Sequence, residues 1–464
     1  MDVLGITAFD GPSAACLVRD GRIIAAAQEA RFTRVRGDSG FPAQSISYVL
    51  RAGKIGATGL AAVVVAGSAD DRVPSEQDTA PPPPPSSLGH RLKRLVGRKD
   101  TLRDRVVCEL GDLRVESVAR DVAHAAAAFF PSPLQHATVL VLDGPRKGAR
   151  IARGDGTQLE MVGELAADEG DPAEMAVRLA HGAHRIAPGD GLVVGGPGAA
   201  SRATNGQLLT SGVFRELWVQ PAVAFGAEAL GAALAWAHAE GAPRTSIGRG
   251  ALGFGPGYTA AQIRTFLRSQ GLPSPQELPR ATAADQVAEL LLSGREVGWF
   301  DGRVDFGQET PGSRSVLRAP GANGAAPPRQ GEWLVVPADV ASEYVHVTDR
   351  CPPLVDVSIR LEWQHRLGDP PDTAKPRAVA VVDARDHRGL AAILTALEKR
   401  TGMAALAARP LRPAGEPVAC SPQDAWRAFQ ELELEVLVMG DFVLTKSSVA
   451  AGTTMTETTA EAAG

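Results

Sequence analysis

Apolar segments separated by polar turns occupy most of the chain, and their pattern predicts strands that alternate with helices. Residues 3–9 (VLGITAF) and 14–28 (AACLVRDGRIIAAAQ) have the length and composition of strands. The Asp20-Gly21 pair stands between two apolar runs of the second segment. This dipeptide favours the tight turn of a β-hairpin, because both of its residues tolerate a positive φ. We therefore predict a hairpin within residues 14–28.

The segment from Ala137 to Leu165 repeats this plan. It begins with the strand ATVLVLD, which ends on Asp143, and a turn and a second strand then lead to Gly154-Asp155-Gly156. Two copies of the series strand, polar turn, strands and helices predict an α/β fold built by duplication.

Three helices with clear start signals follow in the second half of the chain. The signals are Thr259-x-x-Gln262, Thr282-x-x-Asp285 and Ser421-x-x-Asp424. Each has the spacing of a helix cap, in which a side-chain oxygen accepts from the backbone of the first turn. Around the first helix, Tyr258 and Ile263 are spaced as a hydrophobic staple, and Gly271 is the predicted stop. The strands EVGWF and EVLVMG are predicted to follow the second and third helices.

Two segments lack this pattern. Residues 70–100 contain five consecutive prolines, Pro81–Pro85, and then the basic run HRLKRLVGRK. Consecutive prolines cannot join a sheet, so we predict an extended, mobile insertion. Its basic run either contacts a partner or membrane headgroups, or is a solvated loop. Residues 451–464 offer no core-forming side chains and are predicted to form a disordered tail.

Composition narrows the class of protein. Of the 464 residues, 44% are hydrophobic and 22% are charged, as in globular domains, and the net charge of −5 gives no basic field for nucleic acid. No apolar run reaches the ~18 residues of a membrane span. The first residues lack the basic start of a signal peptide, so a cytoplasmic protein is expected. Four separated cysteines without a CxxC motif are interpreted as buried small hydrophobes: Cys16, Cys108, Cys351 and Cys420.

Candidate chemistry is sparse when the residues are taken alone. His124, on an Ala-rich helix, and Asp143, at a strand end, are ligand types that suit iron, manganese or zinc. Two ligands are few for a tight site, and a core histidine is the alternative. Residues 248–253 match GxGxxG, but no clear strand precedes them. Gly195-Gly196 either approaches a phosphate or forms a packing turn. These residues do not identify a reaction.

Motifs along nearly the whole chain nevertheless resemble a known family, the O-carbamoyltransferases of the nodulation-protein-U, cephem hydroxymethyl and tobramycin type. The motifs include LGITAF, SAACLVRDGRIIAAAQEARFTR, GFPAQSISYVL, AHAAAAFFPSP, GFGPGYTAAQIRTFL, GWFDGRVDFG and LEVLVMGDFVL. The resemblance implies a duplicated actin-like (ASKHA) domain over residues 1–271, which would carry a metal and the acceptor. It implies a YrdC-like α/β domain over 278–446, which would make carbamoyl-adenylate from carbamoyl phosphate and ATP.

The metal ligands implied by this resemblance are only half present. The family pattern is His-x-x-x-His on a helix, an Asp at a strand end and an Asp in a GDAG loop. His124 and Asp143 match the second His and the strand Asp. Arg120 stands at the first His and Phe225 at the last Asp. A guanidinium at a ligand position repels a divalent cation.

The acceptor and nucleotide positions implied by the family also depart from its pattern. Family histidines correspond to Gly11 and Gly37, and a family Asn corresponds to Ala199 or Ala200. The phosphate-facing Arg corresponds to Glu309, and further cations fall at Pro327 and Trp333. An Asn-Ser loop becomes AARPL followed by Arg412. Arg303, Arg314 and Asn205 are left as candidate remnants of substrate binding.

Three functions fit a retained scaffold with altered site residues. The first is a non-catalytic partner of an active carbamoyltransferase or another enzyme of specialised metabolism. The second is an enzyme with new chemistry in the old cleft, and the third is an ordinary carbamoyltransferase. No cofactor is expected, and ATP with iron or zinc would be needed only if the family activity persists. A protein partner or a homodimer is expected, without nucleic acid or a membrane span.

Overall fold

The computed structural model describes most of the chain. It covers residues 1–70, 101–144, 148–167, 169–220, 222, 226–247, 252–271, 277–307, 309, 311–320, 331–337, 357–359, 377–382, 384 and 387–446. Most of the predicted insertion at 70–100, the predicted tail at 451–464, and residues Phe225, Pro327 and Cys351 lie outside this set. Within the described part, the strands form three sheets.

The first sheet has five strands in the order β3-β2-β1-β4-β5. They are β1 (Asp2–Thr7), β2 (Ala14–Arg19), β3 (Arg22–Gln28), β4 (Ala62–Ala66) and β5 (Val115–Val118). The first three pair antiparallel, and β4 and β5 continue the sheet in parallel with β1. The predicted hairpin is confirmed: β2 and β3 are joined by Asp20 and Gly21, whose φ angles of 48° and 72° are those of a tight primed turn.

The second sheet repeats the first, with the order β8-β7-β6-β9-β10. Its strands are β6 (His136–Leu142), β7 (Ala149–Asp155), β8 (Gln158–Leu165), β9 (Gly191–Gly195) and β10 (Glu216–Val219). The first three are again antiparallel and the last two parallel. Matching strands of the two sheets also share a register shift, after Leu17 and after Ile151. The predicted duplication is confirmed, and this strand order is actin-like.

Apart from the short α1, the helices follow the strands at the same places in both halves. They are α1 (Ala30–Thr33), α2 (Ala43–Gly53), α3 (Leu102–Leu110) and α4 (Arg120–Phe129), then α5 (Pro172–Ile186), α6 (Arg202–Ser211) and α7 (Ala227–Ala239). The last helices of the two halves, α4 and α7, pack against each other. A Cβ built on Gly231 of α7 would lie 1.7 Å from the carbonyl oxygen of Ala123. Small residues therefore let these two backbones approach closely.

The C-terminal domain is built on an eight-stranded mixed sheet of order β14-β15-β13-β16-β12-β11-β17-β18. Its strands are β11 (Val297–Phe300), β12 (Arg314–Arg318), β13 (Trp333–Pro337), β14 (Val357–Ile359), β15 (Arg377–Val382), β16 (Leu406–Pro410), β17 (Val436–Met439) and β18 (Phe442–Thr445). Alternate residues of β17 enter two different cores, as expected for a sheet covered on both faces.

Helices cover both faces of this third sheet. They are α8 (Ala260–Ser269), α9 (Arg280–Leu292), α10 (Arg388–Thr401) and α11 (Pro422–Glu431). Val287 of α9 and Ile393 of α10 lie in one core, and Leu267 of α8 and Phe429 of α11 lie in the other. The buried side chains of α8 thus pack with the C-terminal sheet, although the domain boundary predicted from sequence places this helix within residues 1–271.

Two of the three predicted helix starts are confirmed. The side-chain oxygens of Thr259 and Ser421 each accept a hydrogen bond from the backbone N–H of the third helical residue. The side chain of that residue, Gln262 or Asp424, accepts in turn from the backbone N–H of the capping residue. The prediction for Thr282 is wrong. The helix begins at Arg280, after Pro279, and Asp285 instead accepts a 2.9 Å hydrogen bond from Arg400. A proline can precede the first turn without any side-chain cap, and the polar spacing did not indicate this alternative.

The solvent exposure of three cysteines tests the prediction that these residues are buried small hydrophobes. Cys16 and Cys420 are buried, as predicted, but Cys108 is exposed, so the interpretation is wrong for that residue. It lies on the outer face of α3, whose Leu102 and Val106 fill the core instead. None of the helices in the described ranges has both the length and the apolar character needed to cross a bilayer.

Candidate functional site

Ionised side chains gather where α1 and the residue after it meet two loops and helix α11 in the C-terminal domain. We call this set the charged seam, and it comprises Arg31, Arg34, Glu309, Arg412, Glu416, Asp424 and Arg427. Glu29 fixes the place of α1, because its carboxylate accepts from the backbone N–H groups of Gln44 (3.0 Å) and Ser45 (2.8 Å) at the start of α2. Anchored in this way, α1 presents two arginines to the C-terminal domain.

Glu309 lies at the centre of one half of the seam. Its carboxylate pairs with Nη1 of Arg31 (3.4 Å) and accepts from Nε of Arg412 (2.7 Å). It also accepts from the backbone N–H of Val418 (2.9 Å). These donors come from two parts of the chain that are distant in sequence, α1 and the loop that follows β16. Glu309 is therefore a fully engaged structural anion at the position where the family resemblance implies a phosphate-facing arginine.

Arg34 organises the other half of the seam. It donates to the carbonyl oxygens of Pro417 (2.5 Å) and Val418 (2.9 Å), and its guanidinium lies 3.3 Å from the carboxylate of Glu416. It also lies 3.3 Å from Asp424, and Arg427 shares Glu416 with it. Each cation here faces a carboxylate, so this half is neutralised by the chain itself.

Burial sets the electrostatics of the first half. Arg31 is only 5% exposed, and its Nε has no hydrogen-bond partner. Burial lowers the pKa of the Arg31 guanidinium, and the nearby Glu309 carboxylate offsets part of this change. A buried guanidinium without a counter-charge is costly, so Arg31 depends on an anion at the position of Glu309.

Two of the predicted substrate-binding residues contact the backbone instead. Arg303 donates to the carbonyl oxygens of Phe254 (2.6 Å) and Gly255 (2.9 Å), and also to the Tyr48 hydroxyl. Arg314 is 2% exposed and donates to several carbonyl oxygens of the surrounding loops. Burial lowers its pKa to about 10. Both guanidinium groups thus already bind partners within the chain.

The third predicted residue, Asn205, lies elsewhere, on α6. It is fully buried, and its Nδ2 donates to the carbonyl oxygen of Ala199 (2.8 Å). Its Oδ1 is buried without a partner.

The Gly195-Gly196 pair was predicted either to approach a phosphate or to form a packing turn. Gly196 has φ 80°, and a Cβ there would lie 2.7 Å from the carbonyl oxygen of Leu142. This contact makes Gly195-Gly196 a packing turn.

His124 has a partner that the sequence analysis missed. It is 7% exposed on α4, and its Nε2 lies 3.4 Å from Oε1 of Glu228 on α7. His124 Nδ1 and Glu228 Oε2 are both buried without a hydrogen-bond partner. Glu228 stands three residues after Phe225 in the sequence, so a carboxylate displaced by three positions was the signal that could have indicated it.

The other predicted metal positions do not complete a site. Arg120 pairs with Asp10, which gives its guanidinium a counter-charge. Asp143, half-buried after β6, makes no hydrogen bond or ion pair within the described ranges. No group of three or more His, Cys, Asp or Glu side chains comes together there either. The donor set of the described residues does not fit a tightly held iron or zinc.

At three further positions the resemblance implies a histidine or a cation, and this chain has glycine or tryptophan. A Cβ at Gly11 or Gly37 would meet no atom within 4 Å. Trp333, at a position where the resemblance implies a cation, is 2% exposed in the core of the third sheet. Residues 248–251 of the GxGxxG match lie outside the described set.

Comparisons with known proteins agree with the resemblance in its coarse form. Residues 352–446 match the family model of the carbamoyltransferase C-terminus. The nodulation protein NolNO of Sinorhizobium fredii is 28% identical over 267 residues, which cover 54% of this chain and 39% of that protein. NolO of Bradyrhizobium diazoefficiens is 27% identical and covers 57% and 51% respectively. These matches support a carbamoyltransferase family.

A third relative aligns over nearly the whole chain. It is an uncharacterized protein of Synechocystis sp., 24% identical over 599 residues, with 96% of this chain and 97% of that protein covered. By contrast, the chain spans only about half or less of the two nodulation proteins.

Two solved structures are similar to parts of this chain at low sequence identity. The activator of 2-hydroxyisocaproyl-CoA dehydratase from Clostridium difficile is 14% identical, with a TM-score of 0.28 over 52% of this chain and 95% of that one. The ROK hexokinase from Thermus thermophilus is 13% identical, with a TM-score of 0.29 over 51% and 98%. The repeated strand order, and not these similarities, defines the fold of this chain.

The donor set leads to a prediction about metal content. We expect protein purified without chelator to contain well under one iron or zinc per chain by elemental analysis. His124 faces a single carboxylate, and two ligands hold such ions weakly. A stoichiometric metal that is lost in His124→Ala but kept in His136→Ala, at an exposed histidine, would contradict this prediction.

Proposed function

We propose that the chain is a non-catalytic subunit of a carbamoyltransferase-type biosynthetic complex, in which an intact relative performs the chemistry. The observation that carries this proposal is the engagement of Glu309. Its carboxylate holds Arg31, Arg412 and the N–H of Val418, where the family resemblance implies an arginine that faces phosphate. The chain thus places its own carboxylate, that of Glu309, where the resemblance implies that the phosphate of a substrate is bound.

Charge explains why this arrangement disfavours the family reaction. ATP and carbamoyl phosphate are polyanions, and their binding requires cations that are not already neutralised. A carboxylate ~4 Å from a phosphate is repulsive by ~4 kcal/mol at an effective dielectric constant of 20. Loss of one transition-state donor commonly costs ~3 kcal/mol, a factor of 10² to 10³ in rate. The change at Glu309 alone has that order of magnitude.

The residues implied for the acceptor side support the same proposal. Arg120 replaces a ligand and pairs with Asp10 instead. Gly11 and Gly37 offer no general base at the positions of the family histidines. The scaffold is kept meanwhile, including the three sheets and the capping boxes at Thr259 and Ser421. A folded protein that has lost the family activity is useful to a cell when its surface binds a partner.

A protein partner is the simplest role for such a surface. Two-fold association of like subunits is the commonest form of oligomer, and an altered copy can occupy one place in such a pair. The Pro-rich and basic residues 81–99 add a further segment for contact. The setting implied by the resemblance is specialised metabolism of the antibiotic type. A homodimer that acts without another protein is the alternative assembly.

One observation favours a second candidate, an enzyme with different chemistry in the old cleft. The buried His124 and the half-buried Glu228 form an imidazole–carboxylate pair, and each retains one buried atom without a partner. Such a pair can move a proton at a bound substrate. This candidate requires neither a metal nor Glu309, so it is separable from the first by experiment.

Co-expression tests the proposal. We expect the tagged chain to elute on size exclusion together with an intact carbamoyltransferase encoded beside it. We expect the chain alone to form no AMP from ATP in the presence of carbamoyl phosphate, while the complex forms AMP at least at the rate of the partner alone. A His124→Gln variant is the control, and it should assemble and behave as the parent does.

Three results would count against the proposal. Carbamoyl-phosphate-dependent AMP formation by the chain alone, or a micromolar dissociation constant for ATP, would indicate the ordinary family activity. Elution alone in the presence of every neighbouring biosynthetic protein would remove the partner role. Turnover of a substrate that is lost in His124→Gln would favour the second candidate.

A further inference from the structure

The charged seam contains a complete set of donors for an oxyanion. Two guanidinium groups, of Arg31 and Arg412, and the backbone N–H of Val418 converge on one carboxylate at 3.4, 2.7 and 2.9 Å. Two arginines with a backbone N–H form the kind of arrangement by which proteins bind phosphate and carboxylate ligands. We propose that this is an oxyanion-binding site that the chain closes with its own Glu309 carboxylate, an inference that extends the proposed non-catalytic role.

The donors of this site depend on Glu309 alone for their charge balance. Arg31 has Gly307 O as its further contact, and Arg412 has Pro413 O. Within the described ranges, neither arginine pairs with any other carboxylate. The remaining seam arginines are occupied, because Arg34 and Arg427 share Glu416. Removal of the Glu309 charge therefore leaves two cations without an anion.

Burial makes the site one that an anion should fill. Arg31 is 5% exposed and has a guanidinium nitrogen without a partner. A cation in that environment is destabilising until a counter-charge binds. The Glu309 side chain is itself 20% exposed, so the site opens at the surface and solvent anions can reach it. A free phosphate or a phosphoryl group has the size and charge that these donors bind.

Phosphate-dependent stability of Glu309→Ala tests the proposal. Thermal unfolding is followed while inorganic phosphate replaces chloride at constant ionic strength. We expect the midpoint of Glu309→Ala to rise by roughly 1–3 °C at phosphate tenfold above its dissociation constant, because a ligand of the native state stabilises it by mass action. The parent chain should show no such rise, because its site is occupied.

Two further variants make the comparison specific. Glu296→Ala removes a glutamate of similar exposure that pairs with Arg409 at 3.0 Å outside the seam, and it should not respond to phosphate. Glu309→Ala/Arg412→Ala removes a donor from the opened site, and it should lose most of the response. A Glu309→Ala protein that responds no more than Glu296→Ala would overturn the proposal.

A second route covers a variant that does not fold. Glu309→Gln keeps the size of the side chain and removes only its charge, so it should fold and show a smaller phosphate response in the same direction. If neither variant is folded without phosphate, refolding yields decide the question. We then expect phosphate to raise the yield several-fold over chloride, and equal yields would reject the site. Normal phosphate binding with failed partner assembly would reject only the proposed function.

Discussion

Replacement of Gly231 by alanine is expected to destabilise the chain by more than about 3 kcal/mol. The new Cβ would lie 1.7 Å from the carbonyl oxygen of Ala123 and 3.0 Å from the backbone nitrogen of Ala127. Both atoms belong to the backbone of α4, so no side-chain rotation can relieve the contact. One helix must move away from the other, and the shared core between the two halves must open with it.

The sign of this effect is informative. Inside a helix, alanine is normally more favourable than glycine by ~0.5–1 kcal/mol, because glycine loses more backbone freedom on folding. Destabilisation by Gly231→Ala therefore measures the approach of α7 to α4 and not helix propensity. Urea unfolding of the variant and its parent is the measurement. Gly11→Ala is the control, since a Cβ there meets no atom within 4 Å. A Gly231→Ala midpoint equal to or above that of the parent would contradict the close packing.

Local signals explain which parts of the fold were predictable. The Asp20-Gly21 turn and the capping boxes at Thr259 and Ser421 depend on residues that are adjacent or three apart, so their geometry follows from the sequence. The duplication was also visible, since both halves repeat the same strand pattern. Thr282 failed because a second local signal, Pro279, set the start of the helix first.

The site was harder to predict, because its contacts join distant parts of the chain. Arg31 and Glu309 are separated by 278 residues, and no periodicity links them. The resemblance marked Glu309 as a lost arginine, whereas the structure gives the carboxylate three donors of its own. Glu228 was missed for a related reason, because its approach to His124 depends on how two helices cross.

Arg314 illustrates how a residue can be kept for a structural reason and still match a binding motif. Its Nη1 donates to the carbonyl oxygens of Ser313 (2.7 Å) and Asp301 (2.9 Å), and its Nη2 donates to that of Gly302 (3.1 Å). Its guanidinium carbon lies 3.7 Å from the centre of the Phe300 ring. These contacts join the first residue of β12 to the loop that follows β11.

Arg314→Ala is therefore expected to destabilise the chain by roughly 3–5 kcal/mol, because it takes the donor from the buried Ser313 carbonyl and from two part-buried carbonyls and removes the stack on Phe300. Arg314→Lys should cost about 2 kcal/mol or more, since one ammonium cannot reproduce the planar fork of five N–H donors. Arg268→Ala, at an exposed position of α8, is the control and should change stability by less than ~0.5 kcal/mol.

Chemical denaturation separates this structural role from the substrate-binding role predicted from sequence. An arginine held ready for a ligand loses binding when it is removed, while the stability of the free protein changes little. An arginine that satisfies buried carbonyls lowers the unfolding midpoint in the absence of any ligand. If Arg314→Ala and Arg268→Ala unfold at the same urea concentration, the carbonyl contacts of Arg314 do not contribute to stability. The role of Arg314 in binding an anion, as predicted from the sequence, is then the better explanation.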